Sequence, residues 1–68
     1  MPGTYKKVEI VGTSPVSFEE AIKAALTEAS STVRNMAWFE VVEMRGMIRE
    51  GNVAEFQVVI KIGFKIER

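Results

Sequence analysis

From Val53 onward apolar and polar side chains alternate without interruption. Ala54, Phe56, Val58, Ile60, Ile62, Phe64 and Ile66 share one face, and Val53, Glu55, Gln57, Val59, Lys61, Gly63, Lys65 and Glu67 the other. Seven apolar residues at strict period two predict a long strand, Val53–Ile66, with one buried face. Residues 4–12 alternate in the same way, with Val8 and Ile10 on one side, and Gly12-Thr13-Ser14-Pro15 breaks that strand. Between the two the period changes. Phe18, Ala21, Ile22, Ala25, Leu26, Ala29, Val33 and Met36 recur at helical spacing, behind a capping box with Ser17 at the cap and Glu20 three residues on. This predicts one amphipathic helix of about 19 residues, roughly 29 Å long. A second strand follows over 37–49, and Glu50-Gly51-Asn52 is read as the turn, with Gly and Asn supplying positive φ.

The elements order as β-α-β-β, an α+β fold in which a three-stranded antiparallel sheet curls around one helix. With no linker, repeat or low-complexity stretch, residues 1–68 read as a single domain. The last strand, at about 3.3 Å per residue, would run about 45 Å, whereas a compact chain of this length is about 28 Å across. The hairpin must therefore curl around the helix, project beyond it toward other subunits, or both. A two-residue loop near Gly51 pairs even positions of the second strand with odd positions of the third. Trp38, Glu40, Val42, Met44 and Ile48 then join Gln57, Val59, Lys61 and Lys65 on the face away from the helix. Such a mixture of Trp, aliphatic and polar groups resembles an interface or binding surface. The same parity sends Glu43 and Arg45 toward the helix, which is unfavourable; either a bulge at Arg45-Gly46 relieves this or that end lies beyond the helix's cover.

Composition narrows the chemistry. Nine basic residues balance nine Glu, and His, Cys and Asp are absent. Thiolate chemistry, zinc thiolate sites and the usual general base are thereby excluded. Zero net charge argues against nucleic acid. No apolar run approaches the roughly 20 residues that span a bilayer, and the first residues lack a signal-peptide pattern, so a cytoplasmic protein without membrane contacts is expected. In so short a chain, folding buries enough apolar area for on the order of 100 kcal/mol, and ordering the chain costs about the same. With no disulfide or metal ligand cluster to add stability, oligomerisation is the expected remedy.

Catalysis finds no support. Ser and Thr have no base to activate them, Glu40 and Glu43 at i, i+3 fall on opposite faces of a strand, and Gly12-Thr13-Ser14-Pro15 lacks the Lys of a phosphate loop. The expectation is a non-enzyme with neither catalytic residues nor a metal site. Trp38 carries the most information. Read alone it is a core or interface tryptophan, yet with Gln57 on the same face it suits a planar heteroaromatic, the indole stacking and the amide meeting a uracil-like edge. Arg45 and Lys65 suit a phosphate on that ligand.

The run Tyr5-Lys6-Lys7-Val8-Glu9-Ile10-Val11-Gly12-Thr13-Ser14, then Ala37-Trp38-Phe39-Glu40-Val41, Phe56-Gln57-Val58 and Gly63-Phe64-Lys65-Ile66-Glu67, resembles the dodecin family over essentially the whole chain. Dodecins are small β-α-β-β flavin-binding proteins that assemble into hollow dodecamers. The resemblance implies that Trp38 stacks on an isoalloxazine ring, with two flavins held between tryptophans of symmetry-related subunits, and that Gln57 contacts the pyrimidine edge. Arg45 matches an Arg of bacterial, FMN-preferring members, and Lys65 stands where many carry Arg. Ala37 departs from an acidic residue frequent before the Trp. Some members also bind coenzyme A through basic residues late in the helix; here Glu28-Ala29-Ser30-Ser31-Thr32-Val33-Arg34 offers only Arg34, which weighs against coenzyme A. The function implied is binding, storage and photoprotective sequestration of FMN or riboflavin in a homododecamer. The alternatives are a structural oligomer without a ligand and a flavin-dependent enzyme.

Overall fold

The computed structural model describes residues 3–67. Strand β1 spans Tyr5–Ser14, helix α1 Phe18–Ala29, strand β2 Met36–Arg49 and strand β3 Asn52–Lys65. All pairings are antiparallel and the order is β1-β3-β2, so the most apolar strand is the central one. On the face that α1 covers, Ala21, Ala25 and Ala29 close against Val58, Ile60 and Ile62, flanked by Val8 and Ile10. Small helix residues allow this approach, and Gly12 completes it: a Cβ there would collide with the Ala21 carbonyl and the Ala25 methyl. Phe18 meets Phe56 edge to face at 5.0 Å.

The helix is 12 residues, not 19. Its start follows the sequence, since Ser17 Oγ accepts from the Glu20 amide at 3.0 Å. Its end comes early because the hydroxyls of Ser30 and Ser31 turn back onto the carbonyls of Thr27 and Glu28, at 2.7 and 2.8 Å. Those side chains compete for the carbonyls that would continue the helix. The backbone then tightens through Ser31 and Thr32 and reverses at Asn35, φ 60°. Val33 and Met36 still pack on the core, from the connection and from the start of β2, and so they mimic helical spacing without being helical.

The hairpin loop is also shorter than expected. Glu50 and Gly51 hold the positive φ values, 52° and 80°, while Asn52 already pairs with Arg49 as the first residue of β3. Strand β3 ends at Lys65, and Ile66 lies past it, its amide donating to the Thr4 carbonyl at 2.9 Å.

Strand β2 slips against β3 at three places: Met36/Trp38, Val41/Glu43 and Met47/Ile48. The middle slip reverses the parity beyond Val42. Trp38 and Glu40 keep the outer face, but Met44 moves to the helix side opposite Val58, and Glu43 and Arg45 come outside opposite Val59 and Gln57. The awkward placement of two charges toward the helix is thus relieved at Val42, not at Arg45-Gly46, and Glu40 and Glu43 share a face. Helix α1 lies over β1 and β3 and barely touches β2. Phe39 and Val41, on the helix side of β2, therefore stay 44% and 45% exposed.

Candidate functional site

The outer face of the sheet is built in rows of three across β1, β3 and β2. One row is Lys7–Gly63–Trp38, the next Glu9–Lys61–Glu40, then Val11–Val59–Glu43 and Thr13–Gln57–Arg45. Gly63 leaves a notch in the central strand, and the Trp38 indole fills it; a Cβ on Gly63 would collide with Trp38 Cε2 and Cζ2. Tyr5 leans on the same indole, centroids 5.2 Å apart and planes tilted by 53°. Trp38 Nε1 donates to Glu40 Oε2 at 2.8 Å, and Lys7 Nζ reaches that same oxygen at 2.8 Å from across β3. The Lys7 ammonium first, and the indole N–H second, hold the Glu40 carboxyl below the usual carboxylate range. Trp38 keeps 39% of its surface exposed.

Gln57 and Arg45 form a second group on the same face. Arg45 Nε donates to Gln57 Oε1 at 2.6 Å, Gln57 Nε2 donates to Glu55 Oε1 at 3.0 Å, and Arg45 Nη1 lies 3.5 Å from Glu43 Oε1. Gln57 stands six positions along β3 from Gly63 beneath the indole, about 20 Å at strand spacing. Lys65 lies on the far side of Gly63, opposite Tyr5. Of the four residues singled out from the sequence, Lys65 therefore stands at the Trp38 end and Arg45 beside Gln57 at the other. One chain does not bring Trp38 and Gln57 to one planar ligand.

Tyr5, Lys7, Glu40 and Gly63 escaped the sequence reading as parts of the Trp38 site. The usable signal was Gly63, a lone glycine inside an otherwise unbroken strand pattern, which marks a position where another group comes close. Without the strand order, nothing in the sequence placed Trp38 beside it. Among the described residues no three or more His, Cys, Asp or Glu side chains gather as a metal site, and no helix is long and apolar enough to cross a membrane.

A short helix on one face of a three-stranded antiparallel sheet, with a seated tryptophan and a polar row on the open face, defines a small α+β protein. Residues 4–67 match the dodecin family model. The chain is 54% identical over 67 residues to a dodecin of Thermus thermophilus, covering 98% of this chain and 97% of that one. The solved dodecin of Streptomyces coelicolor superposes with a TM-score of 0.94 at 47% identity, over 97% of this chain and 94% of that chain. A calcium dodecin of Mycobacterium tuberculosis, described with a calcium-binding site, superposes at 0.81 with 28% identity, over 94% and 91%. This chain belongs to the dodecin family.

Proposed function

We propose that this chain binds and stores FMN or riboflavin without catalysing a reaction, as a homododecamer in the cytoplasm, and shields the bound flavin from light. The observation that carries the reading is the Trp38 indole, seated over Gly63 and partly exposed on an open sheet face. Such an aromatic plane takes a three-ring heteroaromatic by stacking. The distance from Trp38 to Gln57 supports assembly as part of the site: a ring stacked on one chain's Trp38 meets a Gln57 amide contributed by another copy. Arg45 and Lys65 serve the ribityl phosphate, Arg45 with a fork of donors and Lys65 with a point charge. The last helical turn carries no basic residue, and the connection that follows it offers only Arg34, so coenzyme A is not part of the proposal. Calcium is not carried over from the mycobacterial relative, because among the described residues no three or more His, Cys, Asp or Glu side chains are placed to hold a metal ion.

An absorption spectrum of the purified protein, with identification of the released chromophore, tests the reading. A flavin spectrum, or strong quenching of flavin and Trp38 fluorescence on adding FMN or riboflavin, is expected. A colourless protein that quenches neither leaves the structural oligomer. Flavin reduction dependent on an added substrate would indicate the enzyme instead.

A further inference from the structure

Trp38 is held from three sides on a surface where one would have sufficed. The notch at Gly63 receives the ring, Tyr5 leans on it, and Glu40 takes its N–H at 2.8 Å. Glu40 is itself gripped by Lys7, at 2.8 Å, from the strand on the far side of β3. We propose that Glu40, clamped by Lys7 across the notch at Gly63, is a positioning residue that fixes the plane of the Trp38 indole and readies its stacking face before a ligand arrives. What the platform serves rests on the flavin reading above; the clamp itself does not.

The physical reason is the cost of ordering. A ring free to turn must be immobilised when a ligand stacks on it, and immobilising a side chain at an interface typically weakens binding severalfold or more. A ring already restrained at its polar tip and seated on backbone avoids that cost. The clamp spans all three strands, so it also ties the indole to the sheet and not merely to its own strand. The charged groups facing Glu40 are Lys7 and Glu9 from β1, Lys61 from β3 and Glu43 on its own strand, while α1 packs on the opposite face. Two cations and two carboxylates surround it, and the cation that touches it is Lys7.

Trp38 is the chain's one tryptophan, so its spectroscopic signals are unmixed. In the assembled, ligand-free protein, Glu40→Ala should weaken the near-ultraviolet circular dichroism of the indole and speed exchange of its N–H. Glu40→Gln, which keeps an acceptor but lets Lys7 go, should fall between. FMN and riboflavin should both bind about tenfold more weakly to Glu40→Ala, by the same factor, because a charged hydrogen bond acting on the ring is lost. In the wild type the indole signal should be lost as pH falls below the usual glutamate range, where Glu40 protonates. That transition should vanish in Glu40→Gln and move upward in Lys7→Met. Unchanged circular dichroism and N–H exchange in Glu40→Ala would overturn the clamp. A disordered indole with unchanged flavin affinity would overturn its link to stacking. If the wild type binds neither flavin, the flavin reading falls while the dichroism, exchange and titration still decide on the clamp. Should Glu40→Ala fail to fold, Glu40→Gln and the wild-type titration decide it.

Discussion

Trp38 and Arg45 sit at opposite ends of one sheet face, and their replacement should therefore fail in different ways. Truncating Trp38 to Ala removes the stacking plane and should cost flavin affinity a few kcal/mol. The assembled mass, measured by light scattering, should not change, because the indole sits over Gly63 and contributes nothing to the helix-side core. Gly63→Ala should reproduce that loss with the tryptophan still present, since its methyl occupies the place of the ring; flavin titration of the two variants side by side checks this. Arg45→Ala should reduce the preference for FMN over riboflavin and flatten its salt dependence, while leaving riboflavin nearly untouched. Equal loss of both ligands, together with a weakened oligomer, would instead assign Arg45 to the ion pair with Glu43 seen at 3.5 Å. At this scale residue type was legible and company was not. A lone tryptophan and an amide on a sheet face stand out in the sequence. Glu40 reads as a solvated or interfacial charge, because Lys7 is brought to it by a strand order that no local pattern encodes.

Single elements show where periodicity suffices and where it misleads. The alternation of β3 located that strand almost to the residue, because a buried central strand tolerates no slip that would turn its apolar set outward. Helical spacing runs on past Ala29 because Val33 and Met36 reach the same core from non-helical backbone, and spacing cannot distinguish the two cases. Strand β2, an edge with little cover from α1, carries three slips; with so little buried on it, the alternation that would have revealed them is weak. Two substitutions probe these elements. Glu50 holds φ 52° in the two-residue loop before Gly51, where Asn-Gly is the favoured pair. A left-handed conformation costs a residue with a long side chain about 1 kcal/mol, so Glu50→Asn should stabilise the fold by several tenths of that in chemical denaturation. Gly12→Ala should do the reverse. Its methyl meets the Ala21 carbonyl and the Ala25 methyl, and overpacking of this kind costs about 1–3 kcal/mol.

The whole molecule is elongated for its length. Its radius of gyration is 14.0 Å and its longest dimension 53 Å, against about 11 Å expected of a compact chain this long. It exposes 5145 Å², where a compact monomer of its mass would expose about 4,300 Å². Part of the excess is apolar surface on the helix side of β2, where Phe39, Val41 and Met44 lie beside the helix and largely uncovered. Length and composition lead to the expectation of assembly; which strand is left bare is set by the packing of α1 over β1 and β3. Twelve chains of 7.6 kDa would give a particle of about 91 kDa. Light scattering on a sizing column should report that mass at micromolar concentration; a monomer or dimer would remove assembly from the proposed function. Val41→Glu should shift the particle toward small species, because a carboxylate on an apolar contact must be desolvated without a partner. Far-ultraviolet circular dichroism should be kept at concentrations where some assembly survives. Flavin binding should fall in step with the assembled fraction, because Gln57 of one chain lies about 20 Å from its own Trp38 along the strand. Dissociated Val41→Glu chains that still bind flavin at full affinity would show that a single sheet face suffices, and that the amide row at Gln57 has another use.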